Sequence, residues 1–401
     1  MSRALIARNR DLRRLEDEGY TLRIVDEAYL LIDNVPYVTV NGEVQESALI
    51  LHLTLSGEET VLPADHIAHI AYWVGEFPYE ANGEKLLALI KGDAKRMSLS
   101  DSLPTVYELS AKPDYGYSDY YHKVSTYVEI LSREARLISP DSTAQQWKVV
   151  PKEDEPDSVF HFADTATVRQ NTVDLARKLR NDRVAIVGVG GTGSYVLDLV
   201  AKTWVREIHL FDDDPFLQHN AFRSPGSFSR SELEGGPVKS IFHAERYSGM
   251  RTGIIPHNTR IDEANVRELG AFDTVFLCMD GHRIKAQILE TCMDHNTLLI
   301  DAGMGLYRVN GSIAGIIRAT AFYPEHNGHA ADCLDMAGDA VPGEYERNAE
   351  LAELNALNAT LAVIKWKKVR GFYCDLEREL NCEYVIDGNK LINSYRLGTP
   401  S

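Results

Sequence analysis

The run Arg183-Val184-Ala185-Ile186-Val187-Gly188-Val189-Gly190-Gly191-Thr192-Gly193-Ser194 decides the fold of this 401-residue chain. An apolar, largely β-branched stretch, Val184 to Val187, drops straight into four closely spaced glycines and then a helical pattern. That order predicts a strand, a tight turn and a helix N-terminus. Glycines let the backbone approach a ligand closely, and the free N–H groups of a first helical turn favour an anion. The spacing also satisfies G-x-G-x-x-G, so it points to a nucleotide phosphate without separating ATP from NAD or FAD.

Working outward, the pattern after residue 160 alternates between apolar β-branched runs and amphipathic stretches. Strands are predicted at 183–187, 207–211, 252–257, 273–278 and 297–301, and helices at 193–203, 237–249, 262–269 and 281–295. Alternation of this kind implies a parallel sheet with right-handed crossovers. Two further β-like runs fill 306–319, and an irregular segment spans 323–345. A long helix is expected at 346–370, with Leu351, Leu354, Leu357, Leu361 and Ile364 on one face. A hairpin around Asp387-Gly388-Asn389 closes the chain at 382–396.

The segment 139–158 (SPDSTAQQWKVVPKEDEPDS) is rich in Pro, Ser, Asp and Glu and reads as a linker or excursion. It separates a domain at 1–150 from one at 160–401. Before it, short alternating runs over 20–55 with an Asn41-Gly42 turn read as strands, and 118–138 reads as an amphipathic helix through Val124, Val128, Leu131, Ala135 and Ile138. The fold class is therefore α/β, a Rossmann-like mostly parallel sheet, preceded by an α+β N-terminal domain.

A formal net charge of −17 argues against a generic nucleic-acid or anionic-membrane binder. There is no apolar run of about 18 residues and no signal-like segment behind the charged start ARNRDLRRLEDEG, so a cytoplasmic protein is expected. All five cysteines follow residue 277 at irregular spacing, which excludes the reading of a secreted disulfide scaffold.

The second strand ends in Asp212-Asp213-Asp214, about 20 residues past the last motif glycine, where an acidic residue binds ribose hydroxyls. Asp212 is the ribose candidate, and Asp214 a candidate to hold magnesium or order the site. His219-Asn220-Ala221-Phe222-Arg223 follows. A dehydrogenase has no use for Asn and Arg there, whereas an enzyme handling a triphosphate does, since Arg binds phosphate bidentately as charge develops. Lys239 opens the next helix, and Asp280 sits at a strand end suited to magnesium. Taken singly, Lys239 reads as an exposed lysine and a lone Asp as a solvated turn.

This ordered set resembles the ThiF/MoeB/HesA superfamily, the adenylating enzymes related to ubiquitin-activating enzymes, over roughly residues 165–370. In that family a G-x-G-G-x-G loop, a D-x-D strand end, N-x-x-R, a downstream Lys and a strand-end Asp surround ATP. The resemblance assigns these to Gly188, Gly190, Gly191 and Gly193, to Asp212 and Asp214, to Asn220 and Arg223, to Lys239 and to Asp280. It implies that a carboxylate attacks the α-phosphate of Mg-ATP to give an acyl-adenylate and pyrophosphate. The carboxylate would be the C-terminal glycine of a ubiquitin-like or sulfur-carrier protein in a bacterial pathway, with a ubiquitin-conjugating-like protein as a further partner. By the same resemblance the adenylation domains pair as a homodimer.

Two departures stand out. Relatives often hold zinc with two C-x-x-C pairs, but only Cys333, Cys374 and Cys382 lie in that part here, with His326 and His329 as the remaining ligand types, so zinc is not expected. Of the family's R-x-x-R-Q run, only Arg169-Gln170 remains as an arginine that could be contributed across a dimer, and an exposed surface arginine is the better reading of it. Relatives that form a thioester need an acceptor cysteine. Cys278 and Cys292 read as buried; Cys333, between Asp332 and Asp335 in the irregular segment, is the candidate acceptor on a mobile stretch, although flanking carboxylates disfavour its thiolate.

The first domain has no cysteine and so is no working ubiquitin-conjugating domain. Its Asp65-His66-Ile67-Ala68-His69 lies in a β-like segment that turns the histidines to opposite sides, and Tyr115, Tyr117, Tyr120 and Tyr121 read as packing. Recruitment of the carrier or of a conjugating partner is its expected role. Two rival readings stand: an NAD(P)-dependent oxidoreductase, which leaves Asn220, Arg223, Lys239 and Asp280 without work, and a non-catalytic nucleotide-binding scaffold.

Overall fold

The computed structural model describes residues 2–57, 59–63, 66–89, 96–152, 158–279, 282–334 and 350–397. Asp65, Asp280, part of the predicted linker (153–157), part of the irregular segment (335–345) and the first positions of the predicted helix (346–349) lie outside the described residues. The chain divides into two compact units, Met1–Asp154 with Ala163–Asn171, and Glu155–Phe162 with Thr172–Ser401.

The first unit is an antiparallel six-stranded sheet in the order Thr21–Val25, Tyr29–Val38, Val44–His52, Ile70–Val74, Val106–Ser110, Arg96–Met97. The helix Tyr120–Ile138 buries Tyr120, Val124, Tyr127, Val128 and Leu131, spaced three and four apart. They share one core with Leu30, Ile32, Leu49, Leu51 and Trp73. Asp119 caps this helix by accepting from the His122 N–H at 2.7 Å. His66–His69 is a 3₁₀ turn leading into Ile70–Val74, not a strand. The Tyr127 hydroxyl holds the His69 carbonyl at that turn. Of the tyrosine cluster, Tyr120 is core, while Tyr115 is fully exposed.

The second unit carries an eight-stranded sheet whose strands we number from here: β1 (Arg183–Val187), β2 (Glu207–Phe211), β3 (Ile254–His257), β4 (Thr274–Leu277), β5 (Leu298–Val309), β6 (Ser312–Phe322), β7 (Glu379–Val385) and β8 (Lys390–Arg396). Their order is β3-β2-β1-β4-β5-β6-β7-β8, parallel from β3 through β5 and antiparallel beyond. The strand order reverses between β1 and β4, the switch point where ligands bind in open α/β sheets. Helices α1 (Gly191–Ala201), α2 (Lys239–Tyr247), α3 (His282–Asp294) and α4 (Ala352–Val369) accompany it. The central strands are buried on both faces, which is why they read as continuous apolar runs.

Three elements differ from the sequence reading. The predicted helix at 262–269 is a 3₁₀ stretch, Val266–Ala271, because Asp262 and Asn265 commit the preceding residues to a side-chain-stabilised turn: Asn265 Oδ1 accepts from Asp262 N–H and Asp262 Oδ1 from Ala264 N–H. The strand expected to stop near 301 continues to Val309 and pairs with β6 through an Asn310-Gly311 turn, both residues at positive φ. The buried face of α4 is wider than the leucine stripe: Leu354 is buried together with Asn355, Asn358, Ala359, Ala362, Val363, Lys365 and Trp366, while Ile364 is exposed. Small residues let α4 approach the sheet, and Leu354 with Leu351, Leu357 and Leu361 pack against Leu306 and Ile317.

Candidate active site

The turn after β1 is built around the glycines. Gly188 has φ +86°, and a Cβ there would lie 2.8 Å from the Cys278 carbonyl at the end of β4. A Cβ on Gly193 would lie 1.9 Å from the Gly188 carbonyl, so α1 packs directly on the turn. Gly190 precedes α1 without any side-chain cap, which leaves first-turn N–H groups to face the adjoining space.

That space is a cavity of about 1040 Å³ at the C-terminal ends of β1, β2, β4 and β5. Gly188, Gly190, Gly191, Asp212, Asp214, Arg223 and Lys239 all line it. Residues separated by some 50 positions in sequence thus meet at one place.

Asp212 does two jobs of positioning. Its carboxylate accepts from the Val189 N–H at 2.9 Å and from the Asp214 N–H at 3.0 Å, while the Ser240 hydroxyl donates to its carbonyl at 2.7 Å. Burial raises its pKa, opposed by the nearby Lys239 ammonium 3.9 Å away. Asp214 is half-exposed and shifts the other way, held down by its 2.9 Å hydrogen bond from Lys239. Lys239 is itself 8% exposed, so the lysine that reads as a surface residue in isolation is a buried cation aimed into the cavity.

Arg223 enters the cavity paired with Glu350 at 2.8 Å. Asn220, expected beside the nucleotide, does not line it. Asn220 is 1% exposed and braces the turn ahead of Arg223: its Oδ1 accepts from Leu217 N–H at 2.8 Å, and its carbonyl accepts from Arg223 N–H at 3.1 Å. Gly193 likewise shapes the turn rather than the lining. Asp280 lies outside the described residues. Arg169 belongs to the first unit, where it pairs with Glu16 at 3.1 Å and Asp17 at 2.6 Å.

Cys333 corrects the expectation of a thiol on a mobile stretch. It ends a short helix, Ala330–Cys333, is 3% exposed and packs in the apolar cluster of Phe322 and Leu334. Burial pushes its thiol pKa up, with Arg318 opposing. Cys292 and Cys382 are buried too, the Cys292 thiol pushed up to about 12 by desolvation. Cys374 is exposed.

Several cavity residues escaped the sequence reading. Arg260, just past β3, reaches Asp213 at 3.4 Å and Asp214 at 3.2 Å. Lys285 of α3 pairs at 3.0 Å with Asp301, which is fully buried in β5 and also 3.5 Å from Arg318 of β6. Asp301 ends the apolar run Leu298-Leu299-Ile300 as Asp212 ends its own, and that parallel was the available signal. Glu350 and Asn355, at the start of α4, carried none.

A metal ion's fit rests on the acidic strand end, where one carboxylate oxygen each from Asp212, Asp213 and Asp214 lies within 4.8 Å of the others. Asp212 is committed to backbone donors and Asp214 to Lys239 and Arg260, so a magnesium ion at this strand end would have to take Asp214 in place of those cations. No helix among the described residues is long and apolar enough to cross a membrane.

Comparison with known proteins places this geometry. A model described as the ThiF family matches residues 162–364, and one described as a domain of unknown function (DUF6791) matches residues 10–165. Among curated relatives, ubiquitin-like modifier-activating enzyme 5 of Drosophila mojavensis is 26% identical over 166 residues, 37% of this chain and 40% of that protein. The Rattus norvegicus protein of the same name is 25% identical over 197 residues, 46% and 49% of the two chains. The chain therefore spans half or less of the length of these relatives. Among solved structures, E. coli MccB with ATP is 18% identical with a TM-score of 0.44, covering 61% of this chain and 73% of that one. PaaA is 16% identical with a TM-score of 0.43, covering 55% and 75%. The family model spans half of the sequence, from ahead of the glycine turn to within α4, and the chain belongs to the ThiF family.

Proposed function

We propose that this protein uses Mg-ATP to adenylate the C-terminal carboxylate of a ubiquitin-like or sulfur-carrier protein, or of a peptide. The observation that carries the reading is the meeting of Gly188–Gly191, Asp214, Arg223 and Lys239 around one cavity at the sheet's switch point. Two buried or half-buried cations beside a helix N-terminus whose capping residue, Gly190, brings no side chain suit a triphosphate, and a nicotinamide cofactor gives Lys239 no role.

In this reading the α1 N–H groups and Arg223 hold phosphate oxygens, and Asp212 keeps the turn in place through Val189. Lys239 leaves Asp214 for the phosphates as negative charge builds during attack on the α-phosphorus. The carboxylate oxygen forms the new P–O bond, the α–β bridge breaks, and pyrophosphate departs with the electron pair. Magnesium, held by Asp214 and Asp280, would neutralise phosphate charge. Burial of Cys333 favours a reaction that stops at the acyl-adenylate, or passes to Cys374 or to a partner's thiol.

The proposed bacterial conjugation or sulfur-transfer pathway, recruitment by the first unit and homodimer formation extend the same reading. It is tested by ATP–pyrophosphate exchange: exchange that depends on an added carrier with a free C-terminal glycine is expected. No exchange with any carrier, together with NAD binding tighter than Mg-ATP, would overturn it in favour of the oxidoreductase. Light scattering at about 45 kDa across a wide concentration range would remove the dimer.

A further inference from the structure

The N-terminus of α1 is not bare: a carboxylate of the chain itself sits on it. A Cβ built on Gly191, the first residue of α1, would lie 2.7 Å from Glu350 Oε2, and that same oxygen pairs with Arg223 at 2.8 Å. Glu350 thus stands at the positive end of an 11-residue helix and against the guanidinium that the reading above gives to phosphate. A carboxylate oxygen placed beside a helix terminus and on an arginine stands where a phosphoryl oxygen would.

A second feature shows that this place is shaped for an anion with more acceptors than Glu350 supplies. Asn355, one turn into α4 and 1% exposed, accepts from the Thr192 hydroxyl at 2.9 Å through Oδ1. Its Nδ2 has no hydrogen-bond partner and lies 2.3 Å from the position of a Gly191 Cβ. Arg223 Nε is buried and lacks a partner as well. Two donors left without acceptors around one carboxylate carry a desolvation cost that a phosphate, with three terminal oxygens, relieves.

We propose that Glu350 is the resident occupant of the phosphate subsite, a carboxylate that nucleotide displaces from Arg223 and from the start of α1, with Asn355 Nδ2 as the donor it leaves for the incoming phosphate. The proposal rests on the nucleotide reading of the cavity and adds its regulation. Glu350 begins the approach to α4, so its departure moves the residues entering that helix, and ATP binding is coupled to their position. An internal competitor lowers apparent affinity by the fraction of molecules in which it is seated.

The test is calorimetric titration of the full chain with Mg-ATP and, separately, with inorganic pyrophosphate. Glu350→Gln keeps size and removes the charge, and is expected to tighten binding of both by about fivefold to tenfold. In an Arg223→Ala background, binding is weak and the gain from Glu350→Gln shrinks, because the partner that seats the carboxylate is gone. Asn355→Leu, which removes the amide, lowers affinity in the wild-type and Glu350→Gln backgrounds alike. Unchanged or weaker binding by Glu350→Gln, with wild type binding normally, overturns the resident carboxylate and leaves the nucleotide reading intact. Absence of binding by both chains overturns the nucleotide reading, and this inference with it.

Discussion

The Val189 N–H donates to the Asp212 carboxylate at 2.9 Å, tying the glycine turn after β1 to the end of β2. The turn is therefore set by a neighbouring strand as well as by its own glycines. Asp212→Ala leaves two backbone donors, Val189 and Asp214, without their acceptor. We expect a stability loss of about 1–3 kcal/mol in urea unfolding and a larger proportional loss in Mg-ATP affinity. Wild-type affinity in that variant would show that the turn holds itself.

The glycines are not equivalent, and alanine separates them. A Cβ on Gly190 meets nothing within 4 Å at an ordinary φ of −75°, whereas on Gly193 it meets the Gly188 carbonyl at 1.9 Å. Gly190→Ala, which adds no contact but sets a Cβ on a backbone with ψ −137°, should lose less melting temperature than Gly193→Ala. Gly193→Ala should lose several degrees at least, on the order of 1–3 kcal/mol for an overpacked contact that backbone must yield to. Equal melting temperatures for the two variants would refute the packing of α1 on the turn.

Lys239→Met should fold, since its partner Asp214 is half-exposed and regains water. Pyrophosphate exchange should fall by roughly 10²–10³-fold, the usual cost of removing one donor from developing charge. Exchange within threefold of wild type would remove Lys239 from the proposed chemistry.

His243, on α2 and 1% exposed, has its pKa pushed down to about 4, chiefly by burial, with Arg246 and Lys239 adding to the effect. The unfolded chain binds its proton near pH 6.5 and the folded chain only near 4. The contribution of the neutral ring is therefore complete above about pH 6.5 and is lost as pH falls toward 4, by roughly 3 kcal/mol at most. Unfolding free energies at pH 7 and pH 4.5 should differ less in His243→Leu than in wild type. An unchanged difference would place the acid sensitivity elsewhere.

The cysteines offer a direct readout of burial. Brief treatment of the native protein with a thiol alkylator should label Cys374 first, and Cys292, Cys333 and Cys382 only on unfolding. If a carrier thioester forms at all, Cys333→Ala should keep it. Loss of the adduct in that variant, with exchange retained, would return Cys333 to the role the sequence suggested.

The parallel sheet was legible because its strands are buried on both faces, so Val184–Val187 and Thr274–Leu277 carry no competing period. Gly188, Asp212, Arg223 and Lys239 were legible as an ordered set, since each follows an element whose end is readable. Asn220 spends its Oδ1 on the turn and keeps a buried Nδ2 without a partner, since a motif position does not say whether an amide faces a ligand or braces a turn. Glu350, Asn355 and the Lys285–Asp301–Arg318 group were invisible for another reason. Glu350, Asn355, Lys285 and Arg318 reach the cavity, with Asp301 behind them, through the packing of α3 and α4 and the β5–β6 register, long-range pairings that no local pattern announces. The leucine stripe of α4 holds through Leu351, Leu354, Leu357 and Leu361 and fails at Ile364, and the small buried residues beside it carried no periodic signal.

The path of the chain between the two units has a practical outcome for anyone dividing this protein. Residues 155–162 belong to the second unit and 163–171 to the first, so neither is an uninterrupted stretch. Phe160 is 3% exposed, clusters with Ala176 and Trp204 and bridges to Arg251, whose guanidinium donates to the carbonyls of Ala201, Thr203 and Val205. A fragment starting at Thr172 would strip that cover from a buried cation. One starting early enough to keep Phe160 brings the last segment of its neighbour along, unpartnered. A cut at any single position between them thus takes residues from one unit or the other.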